Sequence, residues 1–400
     1  MDVESWRAFT KPEMREYLEE MRKRTGNTDR GPHYKTVLAV RQQLSPVDMY
    51  CYLKARFGEP NGVQNMLRSD SSDNWIHWEY SLKADGEDIS IGGTYREVHF
   101  MLTEKLADAD WPALLKKIKT DFGRMGREKS EVLRSLEKWV IFPNKFVAVS
   151  NVCAELHAEI VKASKALQPR GFPRHASNAI DQQQTQHYQK LATRMFDLYR
   201  NCLELSLLTP VLAEAFLNMA IVILCKKEVR ENARQYDAFL RSQIDAKIFD
   251  LPYKCQGFRK RIDPDSDTYK KFKRVMDKRN HAIHGNIDPE REQIEVVYFE
   301  GRRPLFKEQG DHIAKRLDAQ IRQYEPEVVI QDYEDTHLFL VSVADCLGPK
   351  LRKDFWHLME DPYPGYDSAR KIAGGLLPDT TAIAHIEGVR YDDELGVSWE

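Results

Sequence analysis

Residues 277–286, DKRNHAIHGN, hold four side chains able to do chemistry within six positions: Arg279, Asn280, His281 and His284, with Gly285 just after. A histidine titrates near neutrality and can take or give a proton. An arginine stays charged and offers a planar fork to an anion, phosphate above all. Asparagine can orient either partner. A second set, Asp277, His281 and His284, supplies a carboxylate and two imidazoles of the kind that hold zinc or manganese, although no fourth ligand suggests itself. The bland alternative is a polar helix end facing water. No H-E-x-x-H occurs, nor a phosphate-cradling glycine loop followed by lysine, and 92-GGTYRE-97 reads as a turn.

The helix that must position these groups is 269-YKKFKRVMDKRNHAIH-284. At about 100° per residue, Tyr269, Phe272, Val275, Met276 and Ile283 form one apolar stripe. Arg279 falls within that stripe, where a guanidinium is costly to bury without a partner. Asn280 and His284 lie on one edge of it, and His281 lies opposite, toward water. Arg279, Asn280 and His284 therefore share a boundary between core and solvent. His281 offers a second spacing, from Arg274, but from outside the apolar face. From Lys254 to Arg279 ten Lys and Arg stand against four Asp, in a chain whose net charge is -2. Lys270, Lys271, Lys273, Arg274 and Lys278 are the candidates to meet a polyanion, against the reading of a solvated helix face.

The surrounding residues 146–347 carry helical periodicity. Helices are predicted over 146–164, 188–208, 211–225, 232–248, 268–284 and within 327–347, with a hairpin-like insert at 293–306 turning near Glu300-Gly301. The stretch 211-VLAEAFLNMAIVILC-225, opened by Pro210, is apolar almost all round, as the central helix of a bundle is. Its strongly polar residues, Glu214 and Asn218, are four apart and share a face, so they either meet solvent or support a buried polar site.

Residues 1–145 mix elements. A helix is expected at 46–57, strands at 75–83, 87–91 and 95–102 with turns at Asp85-Gly86 and Gly92-Gly93, and helices at 111–122 and about 127–140. Trp75, Trp78 and Tyr80 could stack bases, but strand aromatics more often pack a core. Residues 348–400 read as a C-terminal extension, with a helix at 353–359 and a strand at 382–389. The length, 42% hydrophobic and 30% charged residues suit a folded two-domain protein. The opening MDVESWRAFTKPEM carries no secretory pattern, and the apolar run around 219–225 is too short for a membrane span. Six scattered cysteines suit reduced thiols, so a cytoplasmic protein is expected.

Arg279-Asn280-x-x-x-His284, closing an amphipathic helix among helices, resembles the HEPN family of small helical domains over roughly residues 146–347. The resemblance implies a mainly α chain: a C-terminal HEPN-like bundle preceded by a small α+β domain. It also implies a metal-independent endoribonuclease with no cofactor and with Arg279, Asn280 and His284 as catalytic residues. RNA would be cut by attack of its own 2′-hydroxyl, and two motifs would meet across a two-fold axis in a homodimer. The RNA would be tRNA or another cellular RNA, cut in a bacterial toxin or antiviral defence system, with a regulator or trigger read by residues 1–145. The rival class is a HEPN-like module that binds a partner without cutting; a metal-dependent hydrolase using Asp277, His281 and His284 is the third reading.

Overall fold

The computed structural model describes residues 2–25, 34–63, 76–167, 182–283, 289–290, 295–307, 325–376 and 389–391. A few side chains inside these ranges, including those of residues 279–283, lie outside the description. The chain is mainly helical with a smaller α+β part, and it divides into two compact units: Met1–Lys138 with Leu376–Glu400, and Trp139–Gly375.

The first unit is built on a sheet of strands β1 (Arg7–Ala8), β2 (Thr36–Val40), β3 (Trp78–Ala84), β4 (Glu87–Gly93) and β5 (Val98–Leu102), in the order β1-β3-β4-β5-β2. These pairs are antiparallel; Val389–Tyr391 adds a sixth strand parallel to β2. The β3–β4 turn is the expected one, with Asp85 and Gly86 at positive φ (51° and 91°), as a two-residue hairpin requires. Gly92 and Gly93 are strand residues instead of a turn. A Cβ on Gly93 would stand 2.2 Å from the Trp78 ring, so the glycine makes room for that indole. Trp78 and Tyr80 are buried core residues, and Trp75 lies outside the described residues.

Helices α1 (Lys11–Thr25), α2 (Pro46–Phe57), α3 (Trp111–Arg124) and α4 (Gly126–Ser135) belong to this unit. The Ser45 hydroxyl accepts the Asp48 N–H at the start of α2, and Gly58, at φ 81°, ends it. Trp111 of α3 packs edge-on to Phe100 of β5, both fully buried.

The second unit opens with β6 (Trp139–Ile141), where a helix running to 140 was expected. Helices follow: α5 (Lys145–Leu167), α6 (Gln182–Leu224), α7 (Lys227–Glu231), α8 (Ala233–Arg241), α9 (Ile244–Lys254) and α10 (Asp267–Ile283). The hairpin β7 (Val297–Glu300) and β8 (Arg303–Phe306) comes next, then α11 (Pro326–Asp345) and α12 (Pro349–Glu360). Strands β9 (Gly365–Asp367) and β10 (Ile372–Gly374) complete a small antiparallel sheet in the order β10-β9-β6.

α6 corrects the expected break at Pro210. The proline lies inside one 43-residue helix. Its missing N–H frees the carbonyl of Ser206, and nearby the Ser206 and Thr209 hydroxyls donate to the carbonyls of Cys202 and Leu205. Running through the proline, Ala192–Leu224 is long and apolar enough to cross a membrane by length and composition, unlike the short run read from the sequence. Here Leu205, Leu212, Phe216, Leu217 and Ile221 of that stretch are core residues of the helical unit.

Residues 348–375 are part of this unit instead of an extension. The Asn144 amide donates to the carbonyls of Met359 and Asp361, and its oxygen accepts the Phe146 N–H, so one buried side chain caps α5 and the end of α12 together. At the other end of α6, buried Arg230 donates to the carbonyls of Val222, Ile223 and Lys371, satisfying groups a helix terminus leaves open. All six cysteines are free thiols.

Candidate functional site

α10 forms where its sequence asks for a helix. The Ser266 hydroxyl accepts the Tyr269 N–H, and Asp267 stands in the first turn, where the helix dipole favours an anion. Its described apolar residues, Tyr269, Phe272, Val275 and Met276, are all buried. Phe272 stacks on Phe339 of α11, with ring centroids 4.2 Å apart and 15° between planes, and Tyr269 packs against Phe249 of α9 and Phe339. Asp277 and Lys278, on the other side, are exposed. The helix reaches Ile283, so Arg279, Asn280 and His281 sit on its last turns, with side chains outside the description. His284 lies outside the described residues, as does the first part of the 293–306 insert.

The basic face of α10 meets acids that the local charge count misses. Asp335 of α11 is 2% exposed and receives Arg274 Nη2 at 3.3 Å, Lys271 Nζ at 3.7 Å and Gln331 Nε2 at 3.0 Å. Asp332, one turn earlier, receives Lys278 Nζ at 2.6 Å and Arg274 at 3.4 Å. The Asp267 and Asp335 carboxylates hold the Lys271 ammonium above its usual range. Lys270 reaches Asp265 at 3.8 Å with both side chains largely exposed, and Lys273 is exposed. Of the five polyanion candidates, Lys271, Arg274 and Lys278 therefore fasten α10 to α11. That apparent surplus of charge was counted along the chain, whereas its neutralising partners come from a helix some sixty residues on.

Glu214 and Asn218 face a group the sequence reading missed. Lys247 of α9 is buried, and its Nζ donates to Asn218 Oδ1 at 2.9 Å. Burial lowers the Lys247 ammonium, and Glu214 partly offsets this. Both residues are half-buried, Asn218 bonded to this amine and Glu214 acting on its charge, and nothing local in the sequence marks Lys247 as buried.

Two further histidines escaped notice because each stands alone in sequence. His157 of α5 packs on Tyr333 of α11, which in turn packs on His337. The Nε2 atoms of both histidines are buried with no hydrogen-bond partner, and Glu334 Oε1 lies 3.7 Å from His157 Nε2. Burial, reinforced by His157, lowers the His337 imidazole below its ordinary 6.5. Among the described residues no group of three or more His, Cys, Asp or Glu is placed to hold a metal ion.

Compared with family models, curated proteins and solved structures, the chain matches none.

Proposed function

We propose that the chain is a metal-independent endoribonuclease of the HEPN type, with Arg279, Asn280 and His284 as its catalytic residues. The observation that carries this reading is the motif Arg-Asn-x-x-x-His closing α10, a helix whose apolar stripe is buried against α11 within a helical unit. In the proposed reaction the 2′-hydroxyl attacks the adjacent phosphorus. One imidazole takes the hydroxyl proton, Arg279 binds the phosphorane oxygens as charge builds, and a second imidazole protonates the leaving 5′-oxygen. Because each chain supplies one such histidine, the site needs two copies meeting about a two-fold axis. The products are a 2′,3′-cyclic phosphate and a 5′-hydroxyl.

The N-terminal α+β unit then reads a trigger or regulator, and cellular RNA such as tRNA is the substrate, in a toxin or antiviral defence role and a cytoplasmic setting. These assignments rest on the resemblance alone. The test is the chemistry of the ends: RNA incubated with the purified chain gives cyclic phosphate termini, and 3′-hydroxyl termini would overturn the proposal. A second reading, a module of the same fold that binds without cutting, is favoured by the engagement of Lys271, Arg274 and Lys278 with Asp332 and Asp335, which leaves fewer cations for a substrate.

A further inference from the structure

The hairpin β7–β8 is largely exposed. Val296, Tyr298, Phe299, Leu305 and Phe306 are between 49% and 67% exposed. The register pairs Val297 with Phe306, Tyr298 with Leu305, Phe299 with Pro304 and Glu300 with Arg303. Side chains alternate across a strand, so Val297, Phe299, Pro304 and Phe306 share one face, and Tyr298 and Leu305 share the other. A two-stranded hairpin is marginal in water when nothing covers it, and so much exposed apolar surface on a short element marks a binding surface.

The charges around it say what kind of partner fits. Arg302 and Arg303 stand at the tip, beside Gly301 at φ 63°, and Lys307 follows β8; Glu300 on the hairpin and Glu295 just before β7 are the acids near them among the described residues. Among the described residues none of these three cations is ion-paired, in contrast to Lys271, Arg274 and Lys278 on α10. Two copies stacked through their hairpins would gather six cations in one desolvated contact, against four carboxylates from Glu295 and Glu300 among the described residues. Pro304 has no N–H, which weakens β8 as an edge for strand addition. Flat rings with unpaired arginines beside them are instead the chemistry of a single-stranded nucleic acid platform, bases on the rings and phosphates on the cations.

We infer that the β7–β8 hairpin is a stacking site for single-stranded RNA, with Tyr298 on one face and Phe299 on the other each holding a base, and Arg302 and Arg303 at the tip holding phosphates. The inference rests on the proposed ribonuclease reading for the identity of the nucleic acid, and it supplies that reading with a substrate class: unpaired RNA, whose splayed bases can reach a ring.

The test uses the full chain and a short fluorescent single-stranded oligoribonucleotide carrying 2′-O-methyl groups, which cannot supply the attacking hydroxyl. Anisotropy titrations compare wild type with Tyr298→Ala/Phe299→Ala, Arg302→Glu/Arg303→Glu and the ring-conserving Phe299→Trp. Circular dichroism checks the fold of each, and sedimentation reads its oligomeric state. The double alanine and double glutamate variants weaken binding about ten-fold or more, and Phe299→Trp binds as wild type does. Equal binding by wild type and the alanine variant overturns the inference, as does no binding by wild type. Loss of self-association with RNA binding unchanged also overturns it and assigns the hairpin to a contact between copies. Cleavage of unmodified RNA is scored separately. Hairpin-dependent binding without cleavage leaves the platform standing and removes the nuclease; cleavage with hairpin-independent binding does the reverse.

Discussion

Asp335 is buried where α10 and α11 meet, and a carboxylate there is tolerable only while its partners remain. Arg274, Lys271 and Gln331 supply them. Because the two cations are half-exposed, the cluster contributes less than a fully desolvated pair would. Replacing Asp335 with alanine strands the Gln331 amide, leaves Arg274 with Asp332 alone, and lowers stability by roughly 1–3 kcal/mol, read from urea midpoints. His337 makes a pH-dependent prediction. Its native proton affinity is depressed by burial and by His157; Tyr333, which packs on it, and Glu334 share its helix, and Cys153 of α5 acts on Tyr333. The unfolded chain therefore binds a proton that the native chain refuses. Stability is full above about 6.5 and falls as pH drops below it, until the native value is passed. His337→Gln flattens that fall, whereas an unchanged profile would mean that the imidazole titrates freely in the native state.

At the scale of elements, the loop before α10 is held to the end of α11 by backbone pairing. Arg259 N–H donates to Cys346 O at 2.8 Å, Gly348 N–H donates to Gly257 O at 3.0 Å, and Phe258 bridges Leu347. Gly257 has φ 87°, and a Cβ there would stand 1.9 Å from Leu351 Cδ2. Gly257→Ala thus meets both strain and a clash and costs roughly 1–3 kcal/mol, visible as a lowered melting temperature; unchanged melting would show that the loop yields at no cost. How far these elements were legible depended on whether their signals are local. The stripe of α10 could be read because four apolar residues at helical spacing need only one partner surface, and α2 because Ser45 and Gly58 mark its ends. The continuity of α6 could not, because Pro210 breaks helices in general and this one is sustained by its packing. Gly93 looked like a turn because nothing local shows Trp78 across the sheet. The basic face of α10 looked available because Asp332 and Asp335 are remote in sequence.

At the scale of the molecule, the two units differ in how much chemistry they display. The N-terminal sheet buries the aromatics that could have met a ligand, and the helical unit carries the motif, the ionic clasp of α10 to α11 and the exposed hairpin. With a net charge of -2, the chain has no global attraction for a polyanion, so the RNA proposed as its substrate would have to be engaged by local cations, of which Arg302, Arg303 and Lys307 are a set. The apolar face of the helix that carries the motif was legible in the sequence. Lys247, His157 and His337 were not, because each becomes notable only through burial and neighbours from other helices.

Cleavage of total RNA by the full chain in EDTA, with wild type, His284→Ala and His281→Ala compared side by side, tests the proposed nuclease. Wild type and His281→Ala are expected to cut, and His284→Ala to lose at least about a hundred-fold in rate, the share a general acid or base commonly supplies. Cleavage abolished by EDTA with both histidines required, or no cleavage by a wild-type protein that still binds RNA, would contradict it.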